Sequence, residues 1–311
     1  MRGREMRRLR PGLALVAVLW VLMLLSVMAA SFLTQTRGSL RLAEGLLREA
    51  EAEALADAGF ALAVEWLLDA RRETRAQADG AAQPASLPGG ALTITIADEG
   101  GKIDLNLADH ELLQSLLLAQ GASLDAAGAL ADTIEDYRDA DGFRRVHGAE
   151  DDDYRIAGWA AGAKDAPFEL VDELRQVKGM TQPLFERVAP LLTLHSGKST
   201  VNPRTAPKAV LLALPGAVPA EIEAYVEARA ALAAGIALPR ITGRAAQFLF
   251  ATSSQAFSIR VEARPASGGG FVRTALVQLD PAQTGAGGLP YRVLAWSRDA
   301  FAVAGVHEPP R

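Results

Sequence analysis

The chain has 311 residues, half of them hydrophobic, with 32 Lys and Arg against 37 Asp and Glu and no cysteine. This gives enough apolar surface for one or two packed cores, and it excludes a wholly disordered chain, a disulfide framework and any thiolate metal site. The formal charge of −5 argues against general nucleic-acid binding, which needs clustered Lys and Arg, while abundant Ala and Leu favour helix over an all-β design.

The N-terminus is basic, with Arg7, Arg8 and Arg10, and no charged residue follows between Pro11 and Thr36. Residues 13–33 supply the ~20 apolar residues that a bilayer-spanning helix needs. The basic flank then places the N-terminus in the cytoplasm and the bulk of the chain across the membrane. "VMAAS" at Val27 to Ser31 also has the form of a signal-peptide cleavage site, so a removable signal is the competing reading. Against it stands the continuation. Leu40, Ala43, Leu47, Ala50, Ala54, Ala58, Leu62 and Leu68 recur at three and four between charged residues, which predicts an amphipathic extension of the same helix. A continuous helix over residues 13–77 would be roughly 95 Å long, with Gly38, Gly45 and Gly59 as its weak points.

A short basic leader ending in Gly12 and running straight into an apolar helix resembles the class III signal of type IV pilins and type II secretion pseudopilins. The resemblance implies cleavage by a prepilin peptidase between Gly12 and Leu13, and methylation of the new N-terminus. Two positions depart from the common pattern: Leu13 stands where Phe or Met is usual, and Ala17 stands where the fifth mature residue is normally Glu. The missing glutamate, together with "ALVAVLWVLMLLS" and "ALADAGFALA", resembles the minor pseudopilin K family of type II secretion.

That resemblance implies an α+β fold: a long N-terminal helix, a pilin-like antiparallel sheet and a large inserted α domain of helical-hairpin, SAM-like repeats. It further implies minor pseudopilins I and J as tip partners, with contacts to pseudopilin H and the major pseudopilin G, and an inner-membrane location with the bulk in the periplasm. Export of folded proteins across the outer membrane, started and capped by this protein at the tip of a short fibre, is the function that goes with it. Ala17, which lacks the carboxylate that meets a neighbour's amino group, is the expected tip determinant.

Beyond the helix, "GAAQPASLPGG" (residues 80–90) reads as a linker or exposed loop, and "ALTITIAD" alternates as a half-buried strand with Leu92, Ile94 and Ile96 on one face. Three further strand-like runs, "AFSIRVEAR", "FVRTALVQLD" and "YRVLAWSRD", follow about 150 residues later as an antiparallel meander. The organisation expected is a leader (1–12), a transmembrane helix (13–35), its periplasmic continuation (36–79), a sheet domain (80–103 and 252–299), an inserted α domain (104–251) and a tail (300–311). The insert divides into subdomains of about 104–197 and 198–251.

Within the insert, "IDLNLADHELL" aligns with "VNPRTAPKAVL", setting Asp104 over Asn202, Ala108 over Ala206 and Leu113 over Leu211. Each reads as an extended segment feeding a helix N-terminus. Three helical hairpins turn at Gly121, Gly179 and Gly216. In DNA-binding proteins such hairpins present N–H groups to phosphate, but here the second helices carry Asp132, Glu135, Asp136, Glu221, Glu223 and Glu227, which would repel a polyanion. No nucleic acid is therefore expected as a partner.

The stretch from Asp136 to Tyr154, "DYRDADGFRRVHGAEDDDY", holds seven carboxylates within eighteen residues. Oxygen ligands on a Gly-containing loop suit Ca²⁺, and Asp139, Asp141 and Glu150 stand at positions one, three and twelve of an EF-hand-like spacing. Phe143 and Arg144 occupy positions five and six, so the EF-hand pattern itself is not present. The other reading is a solvated acidic loop paired with Arg138, Arg144, Arg145 and Arg155. The family resemblance favours calcium, and the candidate ligands are Asp136, Asp139, Asp141, Glu150, Asp151 and Asp153.

Catalysis finds little footing. His110, His147, His195 and His307 are scattered without metal or general-base spacing, Ser26 and Ser254 lack a nucleophile elbow, and "LHSGKST" lacks the leading glycine of a phosphate loop. The chain is expected not to be an enzyme. The alternative function from another class is a membrane-anchored helix-hairpin-helix module that binds DNA or another surface polymer.

Overall fold

The computed structural model describes residues 11–69, 78–231, 238–252, 254–280 and 289–299. The leader arginines, residues 70–77 of the predicted helix and the tail lie outside the described residues.

One helix, α1 (Pro11–Leu68), runs for 58 residues, about 87 Å at ~1.5 Å per residue. Its first half has a mean hydropathy of 2.5 over the most apolar 18-residue window, none of it buried in the protein, so it is long and apolar enough to cross a membrane. Its last five turns pack on a sheet through Ala52, Leu55, Ala56, Phe60, Ala63, Val64 and Leu67, all buried. This face differs from the predicted one. Leu40 and Leu47 are 59% and 64% exposed, Ala43, Ala50, Ala54 and Ala58 are exposed, and Leu62 and Leu68 are half-buried. The helix is rich in Ala and Leu all round, so periodicity alone does not fix which stripe meets the sheet. Gly59 decides it, because a Cβ there would lie 2.7 Å from Val261 Cγ1, and only glycine lets helix and sheet approach this closely. Gly38 and Gly45 have open space beside them, and α1 runs unbroken through all three.

The sheet has the order β1 (Asp79–Leu87), β2 (Gly90–Asp98), β5 (Ala256–Pro265), β6 (Phe271–Leu279) and β7 (Tyr291–Asp299), every neighbour antiparallel. Leu92, Ile94 and Ile96 alternate inward as predicted and join Phe257, Ile259 and Val261 beneath α1. Residues 80–90, expected as a linker or exposed loop, instead form most of an edge strand (Asp79–Leu87) and the turn that closes it at Gly89, with φ +108°. An edge strand needs only backbone pairing and tolerates Pro84, so its small, polar composition concealed it.

Between the adjacent strands β2 and β5 the chain detours through a helical unit: β3 (Ile103–Asp104), α2 (His110–Ala119), α3 (Leu124–Arg138), α4 (Asp151–Ile156), α5 (Gln182–Val188), β4 (Leu192–Thr193), α6 (Lys208–Leu212) and α7 (Pro219–Ala230). Its buried residues, from Ile103 to Phe248, form one apolar cluster. Where it leaves the sheet, Asp98 is 2% exposed and accepts hydrogen bonds from Gly100 N, Ser254 N, Ser254 Oγ, Asn202 Nδ2 and Thr205 Oγ1 at 2.7–3.2 Å. A buried carboxylate is tolerable only with such partners. Here they tie the exit and re-entry of the chain to each other and to the second half of the insert.

The internal repeat extends further than the aligned residues. Asp104 and Asn202 each accept from the N–H two residues on, and Ala108 and Ala206 each donate back to the carbonyl four before. Each unit closes with a parallel pairing, Ile103 beside Leu192 and Val201 beside Leu249. The hairpin glycines Gly121, Gly179 and Gly216 take φ of +91°, +94° and +69°, the left-handed turns that glycine permits.

Candidate functional site

Helix α3 delivers Asp132, Glu135 and Asp136 to the start of the acidic loop, and α4 receives its end. The loop is pinned from both sides. Asp136 is fully buried and accepts from Arg145 Nη1 at 2.7 Å and Arg145 N at 3.2 Å. His147 N donates to Asp132 Oδ2 at 3.0 Å, whose other oxygen lies 3.0 Å from His110 Nε2. Asp153 receives Glu150 N at 3.1 Å and Arg144 Nη1 at 2.9 Å.

This pinning brings three predicted ligands together. Asp139, Asp141 and Glu150 each turn a carboxylate oxygen into one space, the oxygens within 4.8 Å of one another. Oxygens around an ion bound at 2.3–2.6 Å would be separated by no more than about that. Among the described residues, Asp139 Oδ1 and Glu150 Oε1 are buried without a hydrogen-bond partner, and Glu150 as a whole is only 9% exposed. Burial first, and then the charges of Asp136, Asp165, Asp139 and Asp141, push the Glu150 carboxyl up to about 7. Unpaired, mutually repelling carboxylate oxygens fit a hard divalent cation.

Of the other candidates, Asp136 is engaged by Arg145 and Asp153 by Glu150 N and Arg144, both outside the three-residue cluster. Asp151 lies against Gly162, where any Cβ would stand 1.8 Å from its Oδ1. Gly148 has the same relation to Asp136 Oδ2, which explains the glycine in "HGAED". Asp165 lies beyond the acidic stretch and was not among the sequence candidates. It carries a left-handed backbone (φ +52°), a conformation that costs a non-glycine residue energy. Burial, then the charges of Asp151 and Asp139, raise its pKa. Nothing in "AGAKDAPF" signals this, because the approach is tertiary. On the outside of the loop Phe143 and Val146 are more than four-fifths exposed.

A membrane-compatible helix that continues as the spine of a small antiparallel sheet, with a helical unit spliced between two of its strands, is the architecture that the pilin resemblance implies. The family model for type II secretion system protein K matches residues 94–197, from β2 through the acidic loop to the end of the first repeat. Type II secretion system protein K of Pseudomonas aeruginosa is 27% identical, over 72% of this chain and 74% of its own length. A putative type II secretion system protein K of Escherichia coli K12 is 29% identical, over 56% of this chain and 60% of its own. Among solved structures, the GspK-GspI-GspJ complex of the enterotoxigenic Escherichia coli type 2 secretion system superposes with a TM-score of 0.54 at 20% identity, covering 86% of this chain and all of that one. Residues 94–197 thus match the type II secretion system protein K model, and most of the chain is similar to proteins of that description.

Proposed function

We propose that this protein starts and caps the tip of the periplasmic fibre together with pseudopilins I and J, in a structural rather than a catalytic role. The observation that carries the reading is the mismatch between the two faces of α1. The sheet uses only the Ala52–Leu67 face, leaving Leu40, Leu47, Ala54 and Ala58 exposed. A stripe of this kind on a helix rising out of a membrane needs neighbours, and helices of companion pseudopilins pack on it ridge into groove. The similar enterotoxigenic complex, in which GspK occurs together with GspI and GspJ, supports I and J as those neighbours; pseudopilin H and the major pseudopilin G would lie farther down the fibre. Prepilin peptidase cleavage after Gly12, methylation of Leu13 and a cytoplasmic N-terminus complete the proposal.

The acidic loop is proposed to hold a structural Ca²⁺ through Asp139, Asp141 and Glu150. When bound, the ion supplies positive charge that relieves carboxylate repulsion. The protein holds the loop in reach through the His147–Asp132 bond and the clasp of α4 by Arg144.

Because the chain has no cysteine, single cysteines can be placed at Leu47, Ala54 and Ala63 for disulfide trapping against cysteine-bearing I and J in assembled fibres. Leu47 and Ala54 should cross-link and Ala63, on the sheet face, should not. Equal trapping at all three, or none, would count against packing through this stripe.

A further inference from the structure

We infer that Arg145 is a built-in counter-ion that holds the acidic loop in the metal-free protein and competes with a divalent cation for Asp139. The inference rests on the calcium reading of the loop and assigns its regulation. One guanidinium serves three carboxylates: Nη1 stands 2.7 Å from Asp136 Oδ1 and 2.6 Å from Asp139 Oδ2, and Nε stands 3.0 Å from Glu135 Oε2. Asp139 is thereby divided between two duties. Its Oδ2 is held by Arg145, while its Oδ1 is buried and unpartnered on the side shared with Asp141 and Glu150.

Two consequences follow from Coulomb's law at this range. Without a cation, Arg145 offsets repulsion among the carboxylates and keeps the loop folded; Asp136, fully buried with Gly148 closed over it, pairs with Arg145 alone among the described residues. With a cation on Asp139 Oδ1, the guanidinium and the ion share one carboxylate and repel each other. Arg145 therefore stabilises the empty loop more than the loaded one, which lowers affinity by linkage. Arg155 is a natural control: it carries the same charge but pairs with the exposed Asp152 at 2.6 Å, outside the cluster.

The test uses the detergent-solubilised full chain, titrated with CaCl₂ by calorimetry and melted in EDTA and in calcium. Arg145→Gln should melt lower than the parent in EDTA, gain more on adding calcium, and bind it at least about threefold tighter. Arg145→Lys, which keeps a charge but cannot bridge three carboxylates, should fall between the two. Arg155→Gln should bind within about twofold of the parent. Equal or weaker binding by Arg145→Gln, or an unchanged calcium gain, overturns the role of Arg145 while leaving the site intact. Should Arg145→Gln fail to fold even with calcium, Arg145→Lys decides, and binding no tighter than the parent's overturns the proposal. Absence of calcium binding by the parent itself would sink the site and this role together.

Discussion

Arg138 and Arg229 do the same work in the two halves of the inserted unit. Arg138, at the end of α3, donates through Nη1 to Leu105 O and through Nη2 to Ala108 O at 2.6 Å. Arg229, near the end of α7, donates through Nη1 to Pro203 O at 2.8 Å and to Ala206 O at 2.7 Å. Leu105 and Pro203, like Ala108 and Ala206, are aligned positions of the repeat. In each half the second helix of a hairpin reaches back to tie the turn that starts the first.

Charged hydrogen bonds to otherwise unpaired carbonyls are worth about 1.5–3 kcal/mol each. Arg138→Ala and Arg229→Ala should therefore each destabilise the insert by about 2–3 kcal/mol, seen as a lower denaturant midpoint. Lysine in place of Arg138 should not restore it, because a point charge cannot span two carbonyls. A fully restored midpoint would assign the effect to charge alone.

Much of the fold was legible, and what escaped shared one property. The membrane-compatible helix, the alternating strands and the glycine turns announce themselves through local pattern. The arginine pair did not, because Arg138 follows Asp104 at 34 residues and Arg229 follows Asn202 at 27, so no linear alignment pairs them. Likewise three of the six candidate ligands converge, while Asp136 and Asp153 turn to arginines and backbone, and Asp165 enters from a distant loop. Which carboxylate meets which cation is settled by packing rather than by spacing.

The phase of α1 gives a sharper test. Gly59→Ala places a methyl 2.7 Å from Val261 Cγ1 and should cost about 1–3 kcal/mol through overpacking. Gly45→Ala, with open space around it, should gain about 0.5–1 kcal/mol from helix propensity. Melting the two variants side by side checks both signs. An innocuous Gly59→Ala would mean that helix and sheet are not so closely apposed.

Glu150 should give the metal-free protein an unusual pH profile. Its folded pKa, pushed up to about 7 by burial and then by Asp136, Asp165, Asp139 and Asp141, exceeds its ordinary value, so the native state favours the proton. The stabilising contribution is complete below the ordinary value of 4.5 and is lost as pH rises through about 7. In EDTA the melting temperature should fall between pH 5 and 8, by the equivalent of ~1–3 kcal/mol.

Calcium should flatten that profile, because the ion takes the carboxylate form and replaces the proton. At a hundredfold excess over its dissociation constant the gain would be about 2.7 kcal/mol. Asp141→Asn should reduce it. A melting temperature indifferent to EDTA in both proteins would leave the loop a solvated charge cluster.

The last prediction joins the N-terminus to the tip. If the leader is removed after Gly12, the mature chain begins at Leu13, and mass spectrometry of the membrane-extracted protein should find that start; a start near Ser31 would instead indicate a conventional signal peptide. The new amino group would then lie among apolar helices, where an ammonium is costly unless a carboxylate meets it. The pilin resemblance supplies that carboxylate from the fifth residue of a neighbour, but this chain has Ala17 there, on an exposed and wholly apolar stretch of α1. A pseudopilin that cannot neutralise the next amine in line ends a row, and the helical unit between β2 and β5 adds bulk that a regular shaft would have to accommodate at every repeat. Both features favour a single copy at one end. Quantitative cross-linking of assembled fibres, read through cysteines at Leu47 and Ala54, should find this protein once per fibre with its contacts confined to other minor pseudopilins. An even distribution along the shaft would refute the tip assignment even if the mature chain begins at Leu13 and binds calcium.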